Sequence, residues 1–242
     1  PVWIPEFTRG FLAYMQTFSL AGRTANFLLE QSYSWGTTEG RVLGEPAKRD
    51  LSGLDDLGLT LSVNLLGAPT MTLSEFQELR EKPRPMIGAA IKVMAPTGNY
   101  DEDRLINTGA NRWAVRPKLG CVLPLHPKWL LELEAGTWFF SDDDDFLPGA
   151  REQAPVFAVE AHLVRRFKPG FWASLEANYF TGGRQTIGGN RLVDEQNNAR
   201  IGGTLVVPFL RRHAIKIGCS TSVATDYGND TQQILAAYSV AF

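Results

Sequence analysis

Apolar and polar residues alternate along most of this chain with a period of two. The final segment is the clearest case, because every second residue is apolar up to the carboxy terminus: Ile234, Ala236, Tyr238, Val240 and Phe242. Such alternation predicts a β-strand with one apolar face. A last strand that ends on an aromatic residue is typical of bacterial outer-membrane β-barrels, but a soluble β-sandwich can end in the same way. The rest of the chain decides between these two folds.

Eleven segments with this period follow one another, with almost no helical periodicity. They cover residues 9–20, 24–36, 54–66, 85–95, 112–124, 129–141, 155–167, 171–182, 197–208, 213–224 and 232–242. The connections alternate in length: short ones lie at 21–23, 125–128, 168–170 and 209–212, and long ones at 37–53, 96–111, 142–154, 183–196 and 225–231. This alternation predicts an all-β, transmembrane, antiparallel up-and-down barrel with short periplasmic turns and long extracellular loops, as a single domain over residues 1–242.

One connection, residues 67–84, is long although it falls on the side of the short turns. Thr72 followed by an acidic residue resembles a helix start, and Phe76 and Leu79 belong to a weak apolar stripe. The segment therefore predicts a short periplasmic helix at 72–81. Such a helix either folds against the mouth of the barrel, which we favour, or enters the lumen as a plug.

The number of strands leads to a further expectation. If the carboxy terminus is periplasmic, the first segment runs from outside to inside, whereas bacterial barrels normally have an even number of strands and a periplasmic amino terminus. We therefore expect about twelve strands, eleven in this sequence and the first amino-terminal to Pro1. The alternatives are a miscount, or a short strand within residues 1–7. An open barrel edge would be a place where a protein partner binds.

The polar faces of the strands carry charges, which must point into the lumen if the apolar faces touch lipid. A charge that faces lipid at mid-bilayer costs on the order of 2–4 kcal/mol. In a soluble sandwich these faces would be solvated, but aromatic residues near strand ends and Ala- and Gly-rich apolar faces favour a membrane. Either the charges hold the wall together or they select solutes. The predicted lumen residues are Glu30, Lys92, Arg112, Arg116, Lys118, Glu132, Glu134, Glu160, His162, Glu176, Arg200 and Lys216.

Composition argues against several other classes of protein. The net charge of −2 does not suit nucleic acid as a partner. No apolar run approaches the ~18 residues of a transmembrane helix. Cys121 and Cys219 match no metal-ligand spacing and are expected to be small apolar side chains rather than a disulfide. No signal peptide is recognisable, so an exported protein would correspond to a mature or trimmed chain, and no cofactor is indicated.

An acidic run and three histidines are the remaining candidates for chemistry. The run lies in a predicted extracellular loop and lacks the spaced ligands of a calcium loop, so a solvated loop is favoured over a Ca²⁺ site: Asp142, Asp143, Asp144 and Asp145. A lipid-modifying enzyme would need a serine within reach of a histidine base. No serine stands in an activated context near His126, His162 or His213 in the sequence, so we do not expect an enzyme.

Several strings of residues resemble a known family. They are 92–101 (KVMAPTGNYD), 107–120 (NTGANRWAVRPKLG), 129–140 (WLLELEAGTWFF), 151–155 (REQAP), 161–163 (AHL), 170–175 (GFWASL), 182–184 (GGR) and 197–202 (NNARIG). With these strings the chain resembles, over nearly its whole length, the putative MetA-pathway of phenol degradation family of outer-membrane transporters.

The resemblance implies an integral, porin-like channel in the outer membrane of a Gram-negative bacterium, for passive passage of small hydrophobic or aromatic compounds. The implied partners are outer-membrane lipid, lipopolysaccharide and a small organic solute, and the resemblance supplies no catalytic residues. We expect the loops 96–111, 142–154 and 183–196 to gate entry. The alternative is a structural barrel subunit of a larger envelope assembly, and a lipid-modifying enzyme is the least favoured.

Overall fold

The computed structural model describes residues 4–42, 45–104, 106–146, 149–227 and 230–241, which consist mainly of antiparallel strands. Within these ranges the elements are, in chain order, β1 (Ile4–Leu20), β2 (Arg23–Val42), β3 (Glu45–Leu54), β4 (Leu57–Leu66), α1 (Leu73–Glu81), β5 (Met86–Ala95), β6 (Ala114–His126), β7 (Trp129–Phe140), β8 (Arg151–Gln153), β9 (Val156–Lys168), β10 (Phe171–Gly182), β11 (Gln185–Ile187), β12 (Asn190–Arg191), β13 (Gln196–Leu210), β14 (His213–Thr225) and β15 (Gln232–Val240).

Twelve of these strands form one antiparallel sheet that curls into a half-barrel, and eleven of them follow one another along its main path. The order is β1-β2-β4-β5-β6-β7-β9-β10-β13-β14-β15, and β3 pairs with the second half of β2. The curl brings distant strands to one cavity, which is lined by Thr17 of β1 and His162 of β9. Within the described ranges, the outer edges of β1 and β15 have no strand partner. The all-β, up-and-down prediction is confirmed, and the strand expected before Pro1 stays a prediction.

The eleven predicted segments correspond to the strands of this sheet, with ends that differ by a few residues. The prediction was wrong at 37–53, where a long loop was expected. There β2 continues to Val42 and β3 returns from Glu45, so the connection is a hairpin. These strand extensions are rich in polar and charged residues and do not alternate, so a pattern based on apolar residues misses them. Phe242, which was expected to end the last strand, lies outside the described residues.

The sheet carries its apolar side chains on the convex side, where they are exposed. Leu119, Leu175 and Ile234, for example, are 62%, 68% and 89% exposed. Cys121 and Cys219 lie on strands of this sheet as free thiols. A soluble sandwich would cover such faces with a second sheet. In the described part of the chain the buried apolar residues are few and mostly small: Ala25, Ala68, Ala95, Leu130, Val156, Ala158 and Val164.

The two ends of the half-barrel differ as predicted. We call one the short-turn end, because two-residue turns lie there at 21–22, 127–128, 169–170 and 211–212. We call the opposite one the long-loop end. Its connections contain structure of their own, since β8, β11 and β12 form a small three-stranded sheet within the loops predicted at 142–154 and 183–196.

Asp143 lies inside the long-loop end, so the prediction of a solvated acidic loop was wrong for this residue. It is 1% exposed. Its carboxylate accepts hydrogen bonds from Asn111 Nδ2 at 2.9 Å and Tyr100 OH at 3.2 Å, and it pairs with Arg151 Nη2 at 3.3 Å. These partners offset the cost of burying a charge. The other carboxylates of the run are exposed: Asp142, Asp144 and Asp145.

Helix α1 lies at the short-turn end, close to the predicted range of 72–81. Its start is set by a capping box, in which the side chain of Thr72 accepts a hydrogen bond from Glu75 N and the Glu75 carboxylate accepts one from Thr72 N at 2.7 Å. In the described ranges no helix has the length and apolarity needed to cross a membrane.

Hydrogen bonds at both ends of α1 connect it to the wall of the half-barrel. Ahead of the helix, Thr70 N donates to Gly22 O at 3.0 Å in the turn between β1 and β2. At its end, Arg166 Nη2 of β9 donates to Arg80 O at 2.9 Å. The helix therefore lies across the mouth of the half-barrel. Its side chains of Phe76 and Leu79 line the space inside, so α1 contributes to the lumen as well as covering its end.

Candidate functional site

The concave face of the half-barrel brings together most of the charged residues predicted for a lumen. The period of two places them at alternate positions of β5, β6, β7, β9 and β10, opposite the outward apolar residues. Cross-strand register then decides which charges meet, because direct neighbours on adjacent strands face each other in the sheet. The result is two groups of ion pairs, a third group in which hydroxyls and a histidine surround Glu176, and one carboxylate that has no such partner among the described residues.

The first group is centred on Arg116 of β6. Its Nη2 lies 2.6 Å from Glu160 Oε1 and 3.7 Å from Glu134 Oε1, with the geometry of an ion pair rather than of an aligned hydrogen bond. Lys118 Nζ lies 3.0 Å from the other oxygen of Glu134. Gly136 makes room for the two cations, since a Cβ there would lie 3.2 Å from Arg116 Nε. The bridge holds together Glu134 and Glu160, which are direct neighbours on β7 and β9.

The second group links β2 to β5 across β4. Lys92 Nζ lies 2.7 Å from Glu30 Oε2. Gly58 of β4 is the direct neighbour of Glu30, and its lack of a side chain leaves room for this pair. The pair is half-exposed, so its contribution to stability is modest, about 1 kcal/mol or less.

The third group surrounds Glu176 of β10. Its Oε1 accepts hydrogen bonds from Ser174 Oγ at 2.9 Å and Thr204 Oγ1 at 2.7 Å, and His162 Nδ1 lies 3.8 Å away. Lys216 of β14 lines the same cavity as these groups. Glu176 is thus held in place by hydrogen bonds from two neutral hydroxyls. Its nearest charged or chargeable neighbour is His162.

Glu132 of β7 differs from the other carboxylates on this face. Within the described residues it has no ion-pair partner and no side-chain hydrogen bond, and its direct neighbour on β9 is His162. It lines both of the cavities of the concave face.

Two cavities of the concave face are lined in part by α1. The larger, of about 920 Å³, reaches from β1 to β9, and the smaller, of about 460 Å³, reaches from β5 to β14. In both, the wall supplies polar and apolar residues and α1 supplies Phe76 and Leu79, and in the smaller cavity α1 also supplies Arg80. The residues common to both are Phe76, Leu79, Met86, Glu132 and His162.

Two predicted lumen residues lie apart from these groups. Arg112 precedes β6 and is buried at the long-loop end, where it donates to Gln153 and its guanidinium lies 4.6 Å from the centre of the Phe140 ring. The predicted strand began two residues too early, because β6 begins at Ala114. Arg200 is the direct neighbour of Asn178 on the concave face and forms no ion pair within the described residues.

Sequence reasoning missed several residues of the site. Ser174 and Thr204 have hydroxyls rather than charges and gave no signal beyond their place on a polar face. Phe76 and Leu79 were recognised as a helix stripe, but only the docking of α1 brings them to the cavities. Asp56, whose carboxylate accepts hydrogen bonds from Gly98 N and Ala110 N at 2.9 Å each, ties the loop after β5 to the wall.

The long-loop end is held by groups whose titration is shifted by burial. Burial raises the pKa of Tyr100 to about 12, and the charge of Asp143 adds to the shift. Burial lowers the pKa of Arg112 to about 10, and the nearby charge of Arg151 contributes. At neutral pH Tyr100 is therefore still a hydrogen-bond donor and Arg112 is still a cation.

The described residues also bear on a hydrolase site and on a metal site. No serine or threonine hydroxyl of the described residues forms a hydrogen bond with a histidine, which is the contact that a lipid hydrolase requires. The same residues contain no group of three or more His, Cys, Asp or Glu side chains that could hold a metal ion. The charged residues of the concave face share its cavities with the apolar Phe76, Leu79 and Met86.

Comparisons with known proteins agree with this fold. A crystal structure of an outer membrane channel from Pseudomonas putida F1 superposes with a TM-score of 0.81 at 23% identity, covering 98% of this chain and 85% of that chain. At this identity the similarity is one of fold. Curated proteins give no match. The family model described as "Putative MetA-pathway of phenol degradation" matches residues 10–228. Because this match spans most of the chain, the protein belongs to the Putative MetA-pathway of phenol degradation family.

Proposed function

We propose that this protein is a channel of the bacterial outer membrane through which small hydrophobic or aromatic compounds diffuse. The proposal depends on one observation: the sheet exposes apolar side chains on its convex side and encloses charged side chains with two cavities on its concave side. This is the reverse of a soluble protein, which rarely exposes large contiguous apolar surfaces.

The dimensions and the aromatic residues of the sheet support a membrane position. A membrane-spanning strand needs about 9–11 residues, and β6, β7, β9 and β10 have 13, 12, 13 and 12. Trp113 and Phe139 are exposed at the long-loop end, and Phe167 and Phe209 are exposed at the short-turn end. Two such belts match the two interfaces of a bilayer. We place the short-turn end in the periplasm, with phospholipid and lipopolysaccharide around the barrel.

The cavities support a small, partly apolar solute. Pockets for small molecules have volumes of about 300–1,000 Å³ and mostly apolar walls with a few polar groups, and both cavities lie in this range. Phe18, Met71 and Phe76 supply apolar surface in the larger cavity, next to the ion pairs of Lys118 and Glu134. The ion pairs offset the charges of Lys118, Glu134 and Glu160, so this part of the wall is polar without a net charge.

The test is conductance in planar bilayers together with swelling of proteoliposomes. We expect the wild type to conduct ions and to admit small aromatic compounds. Ala90→Trp puts a large ring into the larger cavity and should lower single-channel conductance several-fold. Ala177→Trp is the matched control on the convex face and should conduct like the wild type. Absence of conductance and of swelling for the wild type would eliminate the channel.

A second candidate function is a structural subunit of an envelope assembly. The observation in its favour is that the outer edges of β1 and β15 have no strand partner within the described residues, because a free edge can pair with a strand of another chain. Purification in mild detergent tests it. A stoichiometric partner, lost when a proline is placed on the edge strand β15, would favour this role, and a monodisperse single chain would rule it out.

A further inference from the structure

One carboxylate of the concave face lacks the partner that its neighbours have. Glu30, Glu134 and Glu160 lie 2.7, 3.0 and 2.6 Å from a Lys or Arg nitrogen. Glu176 accepts two hydroxyl hydrogen bonds, of 2.9 and 2.7 Å. Glu132 has no partner of either kind within the described residues. Removing a carboxylate from bulk water without a partner is unfavourable, so an unpaired one at a cavity wall is a candidate for binding a ligand.

The surroundings of Glu132 combine one charge with an apolar surface. The larger cavity, which Glu132 lines, is also lined by Phe76 and Leu79 of α1 and by Met86 of β5. His162, the direct neighbour on β9, has its Nδ1 3.8 Å from Glu176. A ligand at this place would therefore meet a carboxylate on the wall and apolar side chains on the helix.

The net charge of the larger cavity is that of the Glu132 carboxylate. Its charged lining consists of Lys118 and three carboxylates, those of Glu132, Glu134 and Glu160. Lys118 and Arg116 offset two of these carboxylates through the ion pairs with Glu134 and Glu160. Three negative charges less two positive ones leave one negative charge, that of Glu132. A cation is the ligand charge that this cavity favours.

We infer that Glu132 anchors a binding subsite for small aralkylamines, molecules in which a short chain joins an ammonium group to an aromatic ring. The ammonium group pairs with the Glu132 carboxylate, and the ring packs on Phe76, Leu79 and Met86. The inference rests on the proposed function, since the subsite lies on the proposed solute path, and it names a class of solute that this path would retain.

Titration calorimetry on the detergent-solubilised protein tests the subsite without relying on conductance. The probes are benzylamine, benzyl alcohol and benzoate, at pH 8, above the ordinary titration range of histidine. We expect the wild type to bind benzylamine at least tenfold more tightly than benzyl alcohol and to bind benzoate most weakly. Glu132→Gln should lose this preference for the amine, and Phe76→Ala should weaken binding of both benzylamine and benzyl alcohol.

Glu152→Gln is the matched control, because Glu152 is exposed on β8 at the long-loop end, and it should bind the probes as the wild type does. Equal binding of benzylamine by Glu132→Gln and the wild type would overturn the inference, as would a wild type that prefers benzoate. If the wild type conducts ions but shows no preference for the amine, the subsite is refuted and the channel function is not. If the wild type binds the amine but does not conduct in bilayers, the channel function is refuted and the subsite is not.

Discussion

Replacing Arg116 with glutamine removes the cation shared by Glu134 and Glu160, which face each other directly on β7 and β9. The side chain of Arg116 is 8% exposed, and those of Glu134 and Glu160 are 29% and 22% exposed. Removing one partner of a buried ion pair costs about 3–5 kcal/mol. Here the carboxylates keep some water and Lys118 still pairs with Glu134 at 3.0 Å. We therefore expect the free energy of unfolding to fall by about 2 kcal/mol.

The assay is urea unfolding in lipid vesicles. The folded and unfolded fractions are measured on a gel, because the folded and unfolded barrel migrate differently. The double variant Arg116→Gln with Glu160→Gln removes the carboxylate left unpaired and should recover about 1 kcal/mol or more. Arg104→Gln breaks a pair with Asp101 whose side chains are 46% and 41% exposed, and should change stability by less than about 0.5 kcal/mol. Unchanged stability of Arg116→Gln, or a double variant no more stable than the single one, would refute the reasoning.

Three further predictions concern α1, the long-loop end and the wall. The hydrogen bonds from Thr72 lower the pKa of Glu75 below its ordinary value of 4.5, so the capping box stabilises α1 above that value and is lost as the pH falls through the lowered pKa. Hydrogen exchange of the α1 amides should thus be slower in the wild type than in Glu75→Ala at pH 6, and this difference should shrink as the pH falls through the lowered pKa of Glu75. A difference that stays constant as the pH falls would contradict the prediction. Asp143→Asn should destabilise the long-loop end by about 1–3 kcal/mol and expose it to protease, whereas the exposed Asp144→Asn should not. Gly136→Ala should slow folding into vesicles or lower stability, because its Cβ would meet a backbone oxygen at 2.7 Å, while in Gly120→Ala the nearest atom is at 3.4 Å. Equal stability of the two glycine variants would disprove the packing argument.

The strands and the faces of the sheet could be predicted because they depend on a local rule. In a strand successive side chains point to opposite sides, so Leu175 and Glu176 are assigned to different faces by their order alone. The helix start at Thr72 is local as well, since the capping box joins residues three apart. The rule gives no signal where a strand has few apolar residues. For that reason the hairpin of β2 and β3 was predicted to be a loop.

The partners on the concave face could not be predicted, because they depend on register between strands. Arg116 of β6 reaches Glu160 of β9 across β7, a contact that no spacing along the chain indicates. Arg112 looked like a lumen residue by its spacing from Arg116, but the strand begins after it. Asp143 looked solvated within its acidic run, and its burial follows from partners that stand far away in sequence.

By itself, the order of residues determined that the chain forms an antiparallel sheet with one apolar and one charged side, since alternation in a strand leaves no other arrangement of the side chains. The tertiary structure decided which charges are paired and that Glu132 has no partner among the described residues, because pairing depends on register and on the curl of the sheet. It also decided that Phe76 lines the cavities. An apolar stripe indicates that one face of a helix is buried, but it does not indicate which part of the protein that face packs against.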